Sequence, residues 1–121
     1  MKANTVCWFD LPVISLNRAI KFYSNVLGEE IEVTKYDDFV FAVIPCKDGG
    51  VTGCLVETSE MRPSNDGILL YFSVDGRLDD ALENVTKQGG KVLVEKEQIG
   101  PWGYRAIVLD SEGNKIALHT N

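Results

Sequence analysis

The 121-residue chain has few of the residues that bind metals or form disulfides, with one histidine, His119, and three cysteines. Cys7, Cys46 and Cys54 are odd in number and form no CxxC pair. A disulfide framework or a thiolate zinc site is therefore not expected, and a reducing, cytoplasmic compartment fits this cysteine usage best.

Positive charge and long apolar runs are also scarce. The 12 Lys and Arg residues are outnumbered by 18 Asp and Glu residues, which gives a net charge of −6 and argues against a nucleic-acid partner. No stretch approaches the roughly 20 apolar residues of a membrane span, so we expect no membrane partner. The opening MKANTVCWFDLPV is interrupted by Asp10 and does not resemble a secretion signal.

What remains is the composition of a globular protein, with 45% apolar and 25% charged residues. The length favours a single domain over residues 1–121. A chain of this size buries about two-thirds of its unfolded surface, which is enough for its own core.

Two amphipathic helices occur at a fixed spacing. Residues 16–27 (LNRAIKFYSNVL) and 78–88 (LDDALENVTKQ) carry the same apolar stripe, and Leu16 recurs as Leu78, 62 residues later. Ser15 is placed to cap the first helix and Gly28 to end it. A strand-like segment precedes each helix, and another strand and a hairpin follow it. The pattern predicts an α+β fold of two tandem βαβββ units, over about residues 4–60 and 66–121.

The predicted strands have one apolar face and one mixed face. In the opening strand, 7–13, Phe9 and Leu11 oppose Trp8 and Asp10, and in the last strand His119 lies on the mixed side. The apolar faces suit packing against the helices. We therefore predict that the two units form a curled mixed sheet, whose mixed faces surround a cup-shaped cavity typical of a small-molecule site.

Four segments carry a resemblance to a known family: FDLPVISLNRAIKFYSNVLG, GCLVE, ILLYFSV before the second helix, and GYRAIVLDSEGNKIALH. In this order they resemble the vicinal oxygen chelate superfamily, which includes glyoxalase I, bleomycin-resistance proteins and extradiol dioxygenases. The resemblance covers nearly the whole chain. It implies the cup-shaped fold and pairing as a homodimer.

The resemblance also implies where a divalent metal would be held. Its four ligand positions match Trp8, Glu57, Leu69 and Ala117, and only the glutamate can bind a metal. A catalytic zinc site takes three protein ligands, and a non-haem iron site needs two histidines. The chain is therefore predicted to belong to a subgroup poor in metal ligands, with no metal and no cofactor.

Several side chains are candidates for ligand contact or catalysis. Glu57 and His119 are the catalytic candidates. Two alternatives are open for Glu57, which is either the one charged group of the inner wall or lies in water past its strand end. His119 is either a polar anchor or general base at the cavity rim, or a terminal residue tied to a carbonyl or water. Cys54 alternates with Glu57 and is expected to pack toward a helix. The predicted substrate-binding residues are Trp8, Glu57, Tyr71, Trp102, Tyr104, Arg105 and His119.

Three functions follow from these features. The first is a metal-free protein that binds a small, partly aromatic organic molecule, as bleomycin-resistance proteins do. The second is a glyoxalase-like lyase or isomerase that uses Glu57 as base, with His119 or Arg105 stabilising the enolate. The third is a regulatory or interaction module whose cavity is filled by its own side chains.

Overall fold

The computed structural model describes residues 4–121 and confirms two consecutive βαβββ units. The first unit contains β1 (Asp10–Val13), α1 (Leu16–Leu27), β2 (Thr34–Tyr36), β3 (Phe39–Val43) and β4 (Cys54–Glu57). The second contains β5 (Leu70–Ser73), α2 (Leu78–Lys87), β6 (Lys91–Gln98), a 3-10 turn (Gly100–Trp102), β7 (Tyr104–Leu109) and β8 (Lys115–Thr120). Each unit forms its own four-stranded mixed sheet, in the orders β1-β4-β3-β2 and β5-β8-β7-β6.

Helix α1 has the bounds that the sequence predicts. The Ser15 hydroxyl accepts a hydrogen bond from the Arg18 amide at 3.3 Å, and Gly28 follows the helix in the left-handed conformation, with φ 71°. Helix α2 ends at Lys87, one residue before the predicted end. Its first turn carries Asp79 and Asp80, where the helix dipole favours negative charge.

The opening strand is shorter than the predicted 7–13. Strand β1 is an edge strand that pairs with β4, and the pairing begins where Asp10 lies opposite Cys54. The chain ahead of β1 nevertheless stays close to β4, because the Cys54 amide donates to the Phe9 carbonyl at 3.0 Å. A Cβ at Gly53 would lie 2.3 Å from that carbonyl oxygen, so only glycine allows the approach.

The core joins both units in one apolar cluster on the helix-facing sides of the sheets. Leu11 and Val13 of β1 and Phe72 and Val74 of the β5 segment are buried there. The buried residues of β1 therefore recur in the β5 segment after 61 residues, whereas the helices recur after 62. The difference arises because Leu78 follows Val74 by four positions, whereas Leu16 follows Val13 by three.

Two carboxylates of the β7–β8 turn fasten the second unit to α1. Asp110 accepts a hydrogen bond from the buried Tyr23 hydroxyl at 2.5 Å. Glu112 accepts from the amides of Ile14 at 2.9 Å and Ser15 at 2.7 Å, and from the Arg18 guanidinium at 2.7 Å. Burial alone would raise the pKa of Glu112, but these donors outweigh it and lower the pKa to about 2.

Neither of the α-helices in residues 4–121 is long and apolar enough to cross a membrane.

Candidate functional site

The site candidates lie on the sides of the two sheets that face away from the helices. On the first sheet this side, here called the first open face, carries Asp10 and Cys54, which are register partners, together with Trp8 just ahead of β1. On the second sheet the second open face carries Tyr71, Ser73, Ala117 and His119. Strand alternation separates these side chains from their neighbours in the core.

A cavity of about 470 Å³ lies over the first open face, and residues of the first unit and the segment just after it line it. Aromatic rings form much of its wall, from Trp8, Tyr36, Phe39 and Phe41. Carboxylate residues also line it: Asp10, Asp38, Glu57 and Glu60. Tyr36 and Phe39 are 69% and 68% exposed, so these rings present free surface to a ligand.

Asp10 organises the floor of this cavity. Its Oδ1 accepts hydrogen bonds from the Trp8 indole at 3.0 Å and from the Cys54 thiol at 3.3 Å. The expectation that Cys54 packs toward a helix is wrong, because the adjacent Leu55 occupies that side. Burial is the largest cause that raises the pKa of the Cys54 thiol to about 12, and Asp10 adds to it. The thiol is therefore protonated at neutral pH and is a poor nucleophile.

Glu57 lies at the edge of this cavity, but its carboxylate bonds to α1. It pairs with Val13 in the register, and its Oε1 accepts a hydrogen bond from the Leu16 amide at 2.9 Å. This bond favours neither alternative for Glu57, because the carboxylate is held by a helix amide. The carboxylate satisfies a free amide in the first turn of a helix, as a capping side chain does. In the second unit, the Thr120 hydroxyl accepts from the Gly76 amide at 3.0 Å, ahead of α2.

His119 lies on the second open face, in a cavity of about 440 Å³ that it shares with Tyr71 and Trp102. Its Nε2 is 2.6 Å from the Trp102 carbonyl oxygen. Because a carbonyl only accepts, Nε2 donates in this contact. His119 is therefore tied to a carbonyl, which is one of the two alternatives that the sequence left open.

Arg105 is register partner of His119 and donates to the Tyr71 hydroxyl and, at 3.2 Å, to Glu97. The second open face thus brings together four predicted contact residues: Tyr71, Trp102, Arg105 and His119. Tyr104 is separate, because it pairs with Thr120 on the other side of the sheet. Its ring lies 5.5 Å from the Lys96 ammonium, beside the start of α2.

The residues at the expected metal positions do not fit a divalent metal. Trp8, Leu69 and Ala117 offer no ligand lone pair, and the Glu57 carboxylate is bound to the helix amide. Across residues 4–121, no group of three or more His, Cys, Asp or Glu side chains is placed to hold a metal ion.

Sequence reasoning missed most of the first cavity. Asp10 could have been found, because it alternates onto the same side as Trp8. Tyr36 and Phe39 sit on the β2–β3 hairpin and reach the site through the pairing of β3 with β4. The sequence contains no local signal for that placement.

The family comparison agrees with this geometry. The chain belongs to the Glyoxalase/Bleomycin resistance protein/Dioxygenase superfamily, whose family model matches residues 5–118. No curated protein sequence matches the chain.

Several solved structures share the fold at low sequence identity. A glyoxalase/bleomycin resistance protein from Albidiferax ferrireducens T118 aligns with TM-score 0.75 and 18% identity, over 98% of this chain and 99% of that one. The genomically encoded fosfomycin resistance protein FosX from Listeria monocytogenes aligns with TM-score 0.70 and 16% identity, over 98% and 91%. A glyoxalase-related enzyme from Fulvimarina pelagi aligns with TM-score 0.72 and 15% identity, over 97% and 88%.

Proposed function

We propose that this protein binds a small, partly aromatic organic molecule on its open sheet faces and does so without a metal ion. The observation that carries the proposal is the chemistry of the four expected ligand positions. Three hold side chains that cannot bind a metal, and the fourth, Glu57, has its carboxylate on the first turn of α1. The space over the sheet persists as a cavity of about 470 Å³ with aromatic walls.

The enzyme alternative is weaker on this geometry. It requires Glu57 to remove a proton while His119 or Arg105 stabilises the resulting enolate. The Glu57 carboxylate bonds to α1, whereas His119 lines the cavity over the other sheet, beside the strand that carries Arg105. The interaction-module alternative supposes a cavity filled by its own side chains, and an open cavity argues against it.

The second part of the proposal is a homodimer in the cytoplasm. The cavities over the two open faces are lined by separate parts of the chain, so each resembles half of a cup. Exposed aromatic residues lie on both faces, with Trp102 71% and Phe39 68% exposed. A second copy that covers these rings would bury apolar surface and complete the walls around a ligand. Light scattering on the purified full chain should give twice the chain mass, and a monomer would refute this part.

The binding proposal is tested by ligand-observed NMR on chelator-treated protein. A panel should contain cationic, neutral and anionic molecules, each with and without an aromatic ring. We expect at least one aromatic class to bind, with affinity unchanged by chelator, and to be recovered chemically intact. Binding that disappears with chelator and returns with zinc, conversion of the ligand, or no binding by any panel member would each contradict the proposal.

A further inference from the structure

We infer that the cavity over the first open face selects an organic cation, namely an amine or quaternary ammonium with an apolar or aromatic body. The inference rests on the proposed binding function and adds the charge class of the ligand. It comes from the composition of the cavity wall, in which aromatic rings and carboxylate residues occur together and, among residues 4–121, no Lys, Arg or His takes part.

The aromatic rings supply the first element of selectivity. Trp8, Tyr36 and Phe39 are 45%, 69% and 68% exposed, so their faces and edges are open to a ligand. Ring faces carry partial negative charge and attract cations within about 6 Å, and an indole does so most strongly. The same rings give an apolar ligand body a surface to pack on.

The carboxylates supply the second element. Within residues 4–121, Asp10 accepts hydrogen bonds from Trp8 and Cys54 on Oδ1 and none on Oδ2, which can meet a ligand. Asp38 lies at the β2–β3 turn on the cavity rim, and Glu60 follows β4. An ammonium group that enters between these residues and the rings is attracted by both, whereas a carboxylate or phosphate is repelled.

The second open face carries basic side chains, in contrast to the carboxylates of the first cavity. Its cation, Arg105, already bonds to Glu97 and Tyr71, and its histidine donates to the Trp102 carbonyl. A second copy that covers the first cavity with this face would therefore bring a guanidinium whose charge is already paired. The selectivity for cations is thus a property of the first unit.

The test is calorimetric titration of the full chain with three ligands that share a phenylethyl body: 2-phenylethylammonium, 2-phenylethanol and 3-phenylpropanoate. We expect the cation to bind at least about fivefold more tightly than the alcohol, and the carboxylate to bind most weakly. Asp10→Asn should reduce the affinity of the cation about three- to tenfold and leave that of the alcohol unchanged. Glu83→Gln, which removes the same charge from the exposed side of α2, should change neither.

Asp38→Asn, at an exposed turn, is a second variant in case Asp10→Asn fails to fold. It should lower the affinity for the cation and leave the affinity for the alcohol unchanged. Equal or tighter binding of the alcohol or the carboxylate would overturn the inference and leave the proposed function intact. If Glu83→Gln lowered the affinity for the cation as much as Asp10→Asn does, the inference would also be overturned, because the effect would then come from the net charge of the protein. If none of the three ligands binds while other panel molecules do, the inference alone fails. If no panel molecule binds, the proposed function fails with it.

Discussion

The two units share one architecture but differ in what their open faces offer. The first presents Asp10 beside a tryptophan and a protonated thiol, in a cavity lined by carboxylate residues and rings. The second presents Arg105 and His119, both already bonded within the chain. The last hairpin turns of the two units also differ. The β7–β8 turn of the second unit is bonded to α1 through Asp110, whereas the β3–β4 turn of the first unit, around Asp48, is exposed. In this pair of repeats, the first unit carries the candidate ligand site, whereas the second unit provides the internal fastening.

The largest effect should come from breaking that fastening. Asp110→Ala removes the acceptor for the buried Tyr23 hydroxyl and for the amides of Glu112 and Asn114. Because buried donors left unpaired each cost about 1–3 kcal/mol, we expect the free energy of unfolding to fall by about 3 kcal/mol or more. Asp48→Ala in the exposed turn of the first unit should change it by less than about 0.5 kcal/mol. Urea unfolding measures both variants. If Asp48→Ala destabilised the protein as much as Asp110→Ala, the proposed difference between the turns of the two units would be contradicted.

Glu112→Gln should have the next largest effect and a specific pH dependence. Loss of charge-assisted hydrogen bonds to Arg18 and the start of α1 should lower stability by about 2 kcal/mol at neutral pH. The native pKa of Glu112 is lowered to about 2, so its ionised form is the stabilising one. The contribution is therefore complete above the unfolded-state pKa, near 4.3, and is lost as pH falls toward 2.

Measured by urea unfolding between pH 7 and 2, the difference between wild type and Glu112→Gln should shrink on acidification. A difference that is constant across this range would show that the carboxylate charge does not stabilise the fold. Glu83→Gln serves as the control, because that exposed carboxylate should give a difference close to zero throughout.

Glu57→Ala should lower stability by about 1 kcal/mol, the usual effect of removing a helix-capping side chain. The affinity for a ligand on the first open face should change little, because the carboxylate bonds to α1. Thermal unfolding and the calorimetric titration measure the two quantities on the same samples. A loss of binding with unchanged stability would support the inner-wall role and favour the enzyme alternative.

The smallest effect concerns thiol reactivity and separates Cys54 from the two exposed cysteines, Cys7 and Cys46. The pKa of about 12 keeps the Cys54 thiol protonated, so we expect two of the three thiols to react with iodoacetamide at pH 8 while Cys54 remains unmodified. Intact mass spectrometry over time measures the count. Rapid modification of Cys54 would show that its environment is open and not shielded as described.

Local patterns in the sequence were sufficient for much of the fold. The cap at Ser15, the left-handed Gly28 and the apolar stripe of α1 depend on neighbouring residues, and all were predicted correctly. The side of the sheet on which Cys54 lies was predicted incorrectly, because β4 was assigned a face without its partner strand. The face of each β4 residue is set by the register with β1, in which Asp10 lies opposite Cys54 and Val13 lies opposite Glu57.

The site was harder to predict for the same reason. The sequence predicted Trp8, Tyr71, Arg105 and His119 as contact residues, but not that they lie on two separate faces. Tyr104 was grouped with them, although its register with Thr120 places it on the other side of the sheet. The bond from His119 to the Trp102 carbonyl depends on the 3-10 turn, whose conformation no residue pattern specified.

The chain has two tryptophans, one on each open face, and this permits one decisive measurement. In a proton–nitrogen NMR spectrum each indole N–H gives one signal, and titration with 2-phenylethylammonium should shift that of Trp8, whose N–H donates to Asp10. The signal of Trp102 should shift less than that of Trp8. A titration that shifts only the Trp102 signal, or neither, would contradict the assignment of the ligand site to the first unit.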